Sequence, residues 1–443
     1  EEEAVESVTV RADENGNYTI SAAALSSAAE RDAVIVVTVA AEEGITSWSE
    51  VAEFLEKGED GTVKLAADIT KDVEPVTVSG NKTLDLNGCD IKAEMVQGSL
   101  FLVNEDNSLT ITDTSEDAAA KELEVTDPKF SDKKIPNPAE DRAGFEAMVG
   151  KAATYDAKSK TLTYFVTNSY TNRPAKGQTE EYLFEHRLDL SGAGAIEVAD
   201  GQRLVDVNGG ELNIEGGRFT QTSGQHMIAA HKGTVNMTGG FLVGAQGDNG
   251  AAINAEYSTV NIGGNAILAG NTATYNSDGG AVFVGNTMLN IGGKAILAGN
   301  QAGEEVLVET KTTGFADVRR GGAVYAEEGS TVVLSDNATL AGNIANADGG
   351  AIYINGKGAV KDMDSSTLEI SDNVLITNNR ALNNKENDHK AGVESNGGRL
   401  GGGGGIFALD AVTIKNAQIT GNYASDAGGG VVITYVGYLK GAS

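Results

Sequence analysis

The sequence predicts an all-β parallel solenoid with three strands per coil. Three observations carry that expectation: a recurring short aliphatic strand, glycine pairs at fixed places between the recurrences, and a core built almost without aromatics. The chain has 443 residues, 57 of them glycine, but only 11 Phe, 12 Tyr and 1 Trp. Collagen would need that glycine in a strict three-residue period, which is absent. A hydrophobic content of 40% still provides an interior of Val, Ile, Leu and Ala.

The recurring strand reads Leu212-Asn213-Ile214, Val235-Asn236-Met237, Val260-Asn261-Ile262 and Leu289-Asn290-Ile291. It continues as Val333-Leu334, Leu368-Glu369-Ile370 and Val412-Thr413-Ile414. The first steps are 23, 25 and 29 residues; the later ones are 43, 36 and 44. A period in the twenties with growing insertions is a coil repeat, because a single coil cannot bury its apolar face without neighbours above and below. In Thr259-Val260-Asn261-Ile262 strict alternation puts Val260 and Ile262 on one face, Thr259 and Asn261 on the other.

A full unit spans 279–300. Gly279-Gly280-Ala281-Val282-Phe283-Val284, Thr287-Met288-Leu289-Asn290-Ile291 and Ala295-Ile296-Leu297-Ala298 are its three strands, with glycine or Gly-Asn at each corner. The glycine pairs supply positive φ or close backbone approach. The closing turn returns with Asn271, Asn300, Asn343, Asn379 and Asn422. Asparagines at one corner of successive coils predict a ladder of amide hydrogen bonds along the axis.

Gly279-Gly280-Ala281-Val282, Gly321-Gly322-Ala323-Val324 and Gly349-Gly350-Ala351-Ile352, each followed by a closing aliphatic-x-x-Asn, resemble a known repeat. It is that of the chlamydial polymorphic outer membrane protein family, which alternates Gly-Gly-Ala-Ile with Phe-x-x-Asn. Gly404-Gly405-Ile406 and Gly429-Gly430-Val431 are looser versions, and Leu or Ile stands where that family has Phe. The resemblance covers roughly 260–435. It implies a right-handed parallel β-helix on a bacterial surface, adhesive in role.

The first half is read in the same terms. Ser47-Trp48-Ser49-Glu50 is a capping box, and the helix it opens should run to about Lys57. Trp48, Val51, Phe54 and Leu55 share one face of it, as a helix sealing the open end of a solenoid requires. Thr62-Val63-Lys64-Leu65, Val76-Thr77-Val78 and Thr83-Leu84-Asp85-Leu86-Asn87-Gly88 follow as the first strands. The helix, Ala67-Asp68-Ile69 and Leu84–Gly88 together look like the start of β-helix surface proteins of gut bacteria, with Cys89 where those often have His. Cys89 is read as a small buried hydrophobe. The domain reading is 1–45, a β segment or small domain; 46–113, cap and first coils; 114–185, an inserted subdomain; and 186–443, the main coils.

Composition narrows function. A net charge of −30 argues against nucleic acid and anionic surfaces as partners. No apolar stretch has the length of a membrane span, and the single cysteine excludes an internal disulfide. Specificity in solenoids comes from inserted loops, here at 301–319, 356–366, 380–403 and, largest, 114–185. The last holds four of the five prolines and eight aromatics. Its Tyr155, Tyr164, Phe165, Tyr170 and Tyr182 can pack a small core of their own or offer a contact surface.

For chemistry, the candidates are Asp278, Asp348 and Asp426, each just ahead of glycines on a different coil, with Arg320 between the first two. Charge compensation is the simplest reading of that column; a Ca²⁺ site at the three aspartates is the alternative, and no other cofactor is expected. The Asp-x-Asp-x-Asp-Gly calcium loop is absent, as are the Gly-x-Ser-x-Gly and His-Glu-x-x-His motifs. His226 and His231, five apart, cannot share an ion on one strand; His186 and His389 fall in or beside insertions. The expectation is therefore a secreted or surface-displayed bacterial adhesin or binding module, with no catalytic residue. Its partner would be a host or microbial surface protein or a neutral glycan. The alternatives are a carbohydrate-active enzyme on the same fold and a passive stalk. The last strand, Val431-Val432-Ile433-Thr434-Tyr435, precedes only eight residues without a cap, so more coils and an anchor are expected in the natural protein.

Overall fold

The computed structural model describes residues 44–434 apart from 58, 95–97, 126–132, 137–139, 171–179, 200, 222–223, 275–276, 304–318, 357–363 and 383–400. The N-terminal segment, most of the three smaller loops, His389 and Tyr435 lie outside the described residues.

The chain winds as a right-handed parallel β-helix. Coils pair in register: Ile214 with Met237, Met237 with Ile262, Ile262 with Ile291, then Leu334, Ile370 and Ile414 in turn. All of these point into the interior and are buried except Ile414, on the last described coil, which is 38% exposed. Three long sheets run along the rod. The first holds the glycine-pair strands, from Val76–Val78 to Val431–Ile433. The second holds the asparagine strands, from Gly61–Lys64 to Ala411–Ile414. The third runs from Ile91–Ala93 to Gln418–Thr420.

A fourth, narrow sheet stands beside the three that the repeat predicts. Its two-residue strands, such as Gln301–Ala302 and Ile344–Ala345, follow directly on the closing asparagines. Two residues are too few to show an alternation, so the strand is set by its neighbours and carries no local signal.

The glycine corners do what their pairing suggests. Gly321 sits at φ +66°, and a Cβ on Gly322 would stand 2.1 Å from the carbonyl oxygen of Gly350. Both members of the pair are thus fixed, one by conformation and one by the rung above. At the next corner Asn271, Asn300, Asn343 and Asn379 are fully buried. Each Nδ2 donates to the Oδ1 of the asparagine one coil on, at 2.8–3.0 Å, and also to a backbone carbonyl of the coil before.

Helix α1, Trp48–Lys57, closes the N-terminal end. Glu50 accepts from the Ser47 hydroxyl at 2.7 Å and from the Ser47 N–H at 3.1 Å, which is the glutamate half of the capping box. Trp48, Val51 and Leu55 are buried on the first coil, and the Trp48 indole N–H donates to the Glu74 carbonyl at 3.0 Å. Cys89 is buried as a small hydrophobe.

The insertion leaves after the second-sheet strand Ser108–Thr112 and rejoins the trunk at the third-sheet strand Ala195–Val198. It is an antiparallel sheet built on the long pair Thr161–Tyr170 and Glu180–Asp189, flanked by Lys121–Glu122, Lys133–Lys134 and Thr154–Asp156. A short helix α2, Arg142–Met148, packs on it. Among the described residues no helix is long and apolar enough to cross a membrane.

Candidate functional site

The inserted sheet lies against the outer face of the third trunk sheet, which is unusually apolar for an exterior: Phe241, Val243, Ile267, Ala269 and Ala298 are all buried there. Leu162 and Ala153 fill the gap from the insert, with Tyr155 and Tyr164 packed beside them. Further along the rod the contact is polar. The Thr167 N–H donates to Thr377 Oγ1 at 3.0 Å, the Asn378 side chain donates to the Phe165 carbonyl at 2.9 Å, and Thr420 Oγ1 donates to the Thr167 carbonyl at 2.8 Å. The Gly150 N–H reaches the Gly421 carbonyl at 2.9 Å.

This docking changes the reading of the insert's aromatics. Tyr155 stands against Gly244 and Gly270 of the trunk, and burial raises its phenol above the ordinary range. Phe165 is buried with Ile135, Met148 and Leu183 in a small core of the insert. Tyr155 therefore packs on the apolar trunk face and Phe165 in the insert's own core, the packing alternative of the two readings given to these aromatics. Tyr164 stacks on His186, centroids 5.0 Å apart, and burial pushes its phenol up to about 12. Tyr182 is half-buried opposite Asn168 and Lys134, and Tyr170 closes its strand opposite Glu180.

The Asp-Arg column forms in part. The Arg320 N–H donates to Asp278 Oδ1 at 2.7 Å, as the Asp278 N–H does to Asn249 Oδ1 one rung below. Asp348 Oδ1 accepts from the N–H groups of Gly401 and Gly402, both at 2.9 Å, while its Oδ2 lies 3.8 Å from Arg320 Nε. Burial raises both carboxyls, Asp278 to about 6 against the pull of the Arg320 amide and guanidinium, and Asp348 against that of the Gly402 amide and the Arg320 guanidinium. Asp426 does not join the column. Its N–H pairs with the Gly401 carbonyl and its side chain is exposed, because the residue directly before the glycine at that rung is Ala427. With a guanidinium between Asp278 and Asp348, the three aspartates do not form a common oxygen cage. Among the described residues no group of three or more His, Cys, Asp or Glu is placed to hold a metal ion.

Arg320 also lies over the Tyr353 ring, 5.0 Å from its centroid. Tyr353 belongs to a four-ring stack on the first sheet's outer face: Phe283, Tyr325, Tyr353 and Phe407, at 5.2, 5.2 and 5.4 Å and within 8° of parallel. All four rings are buried, and burial pushes the Tyr353 phenol up to about 12. The sequence carried the signal, since each ring follows directly on a Gly-Gly-aliphatic corner.

The second sheet's outer face is built differently. The middle residues of the recurring strand, Asn213, Asn236, Asn261 and Asn290, point outward and form a half-exposed ladder. Asn236, Asn261 and Asn290 each donate from Nδ2 to the Oδ1 of the rung below, at 2.9, 2.7 and 2.7 Å. Val333 stands on the next rung, so the Asn290 carbonyl ends the run. These residues floor a shallow groove of about 630 Å³ that Gly263, Gly292 and Gly293 border; of its lining residues only Asp336 is charged. Two of the exposed large apolar side chains share the coils concerned. Tyr257, 58% exposed, precedes the strand Thr259–Ile262, and Met288, 49% exposed, is the register partner of Thr259.

Comparison with protein-family models, with curated proteins and with solved structures gave no match in any of the three.

Proposed function

We propose that this chain is a non-enzymatic binding module of the bacterial cell surface, adhesin-like in the manner its repeats suggest. It would act as a stiff rod that holds a ligand along its flank, with a host or microbial surface protein or a neutral glycan as partner. The observation that carries this reading is a contrast between two polar columns. Asp278 and Asp348 are held by backbone amides and a guanidinium, whereas the Asn213–Asn290 flank is open and rigidly spaced, with Asp336 the one charge in its lining and Glu211 bonded to Asn236. The test is a binding screen of the whole chain against surface-protein and glycan arrays. Saturable retention of one class supports the reading; no retention of either favours a passive stalk.

One observation favours an enzyme instead. Two rungs at ~4.8 Å put Asp278 and Asp348 roughly 10 Å apart, near the carboxylate separation of inverting glycosidases, and Asp278 has the raised pKa of a general acid. Turnover of a neutral glycan that is lost in Asp348→Ala would establish that reading.

A further inference from the structure

We infer that the Asn213–Asn290 flank is the ligand site, and that its ligand is an uncharged, extended, β-linked polysaccharide lying along the rod with one sugar unit per coil. The inference rests on the binding-module reading above and gives it a site and a ligand class.

The chemistry comes from the ladder's leftover valences. A side-chain amide has two N–H donors and an oxygen with two lone pairs. The ladder uses one donor and one lone pair of Asn261, so one of each remains. Asn290 keeps a second N–H and a carbonyl that no rung above engages. The Asn261 and Asn290 rungs thus offer a paired donor and acceptor, which is what a sugar hydroxyl matches, while Asn236, whose second N–H bond goes to Glu211 Oε1 at 2.9 Å, keeps an acceptor. A sugar also presents a C–H face, and the exposed Tyr257 ring and Met288 side chain offer apolar surface for it. At the groove's border a Cβ on Gly263 would meet nothing within 4 Å, so a ring can come close to the backbone there.

Spacing decides between polymers. Rungs repeat every ~4.8 Å, fixed by backbone pairing. An extended peptide presents same-side groups every two residues, about 6.7 Å, and falls out of step after one rung. A pyranose unit in an extended β-linked chain has a length close to one rung; successive units turn over, so same-side groups repeat every two units, which matches two rungs and keeps the chain in step along the four asparagines. Charge decides between sugars. The groove's lining carries the single charge of Asp336, and the Glu211 carboxylate sits against Asn236, within a chain of net −30, so a uronic acid polymer meets repulsion.

The test is calorimetric titration of the full chain with uncharged β-linked hexose and pentose oligomers of graded length, and with their uronic acid counterparts. Affinity should climb with each added unit and level off once the four rungs are spanned, with the uronic acid series bound weakly or not at all. Tyr257→Ala and Asn261→Ala, both on the outside of the rod, should each lower affinity about tenfold while far-ultraviolet circular dichroism stays unchanged. Oligomer binding that is independent of length, or unaffected by both variants, would overturn the inference and leave the binding-module reading standing. Retention of proteins alone on the arrays would do the same. No binding of any class would remove both.

Discussion

The Nδ2 group of Asn300 and its own backbone N–H both donate to the side-chain carbonyl of Asn343, at 3.0 and 2.9 Å. Nothing but another asparagine can replace that oxygen and also donate to the Leu297 carbonyl, as Asn343 does at 3.0 Å. Asn343→Ala therefore strands buried donors on Asn300 and a buried acceptor on Leu297. Unsatisfied buried groups cost about 1–3 kcal/mol each, so a loss of ~3 kcal/mol is expected. On the second sheet's outer ladder, where water can take over, Asn290→Ala should change stability by less than about 1 kcal/mol. Urea midpoints of the two variants against the parent check both figures, and equal losses would show that burial is not what separates the ladders.

The two ladders also show where sequence reading reached its limit. The interior series from Ile214 to Ile414 was legible because burial of alternate residues repeats with every coil, and pairing bears it out. The closing asparagines were legible for the same reason. The outward asparagines sat in the same quoted strands, yet alternation says only that Asn261 faces away from the core, not what lies beside it. Tyr257 gave no signal, since an aromatic beside a turn reads equally as core or surface. The insert's docking was hidden because its partner face is assembled from Phe241, Ile267 and Ala298, residues 26–31 apart on three coils. Asp426 misled because Ala427 separates it from the glycine, and register, not proximity in sequence, decides who joins a column.

Two buried groups should give the fold opposing pH dependences. Burial holds His226 near 4, below its ordinary 6.5. Between those values the unfolded chain binds a proton that the folded chain refuses, so this group lowers stability as pH falls from about 6.5 to about 4. Asp278 is raised to about 6 from 3.8, so the folded chain binds the proton first, and this group adds stability as pH falls through about 6 to about 4. Relative to the parent, His226→Gln should gain stability on acidification and Asp278→Asn should lose it. Asparagine is a fitting replacement because Asn249 already fills the rung below Asp278. Urea midpoints across that range read both signs, and parallel pH profiles for parent and variants would refute the assignment.

The insert should come loose without taking the trunk with it. Leu162 is fully buried between Tyr155 and Leu188 on the inserted sheet and the Phe241–Ile267 face of the trunk. Truncation to alanine removes that filling and should lower the stability of the docked unit by about 3 kcal/mol. The trunk coils pair with one another through backbone hydrogen bonds that do not involve Leu162. Limited proteolysis of Leu162→Ala should therefore cut within the insert first, releasing a trunk that keeps its β signal. Cleavage distributed evenly over the chain would mean that the trunk needs the insert to hold together.

The sole tryptophan gives a reporter for the opposite end. Trp48 is 4% exposed, hydrogen-bonded to the Glu74 carbonyl, with its ring centroid 6.1 Å from that of Phe101. Its fluorescence should be blue-shifted in the folded chain and should follow the first coils alone. In a solenoid each coil feels mainly its neighbours, so damage at one end fades along the rod. Asn343→Ala should then lower the urea midpoint seen by circular dichroism more than the midpoint seen by Trp48 fluorescence. Trp48→Ala reverses the order of damage: the cap face opens over Leu65 and Val76, at a loss of about 3–5 kcal/mol, and the early coils fray first. Hydrogen exchange would then show the strands Gly61–Lys64 and Val76–Val78 losing protection while Val324–Ala326 keeps it. If fluorescence and dichroism shift together in Asn343→Ala, the rod unfolds as one cooperative unit and the nearest-neighbour account of its stability fails.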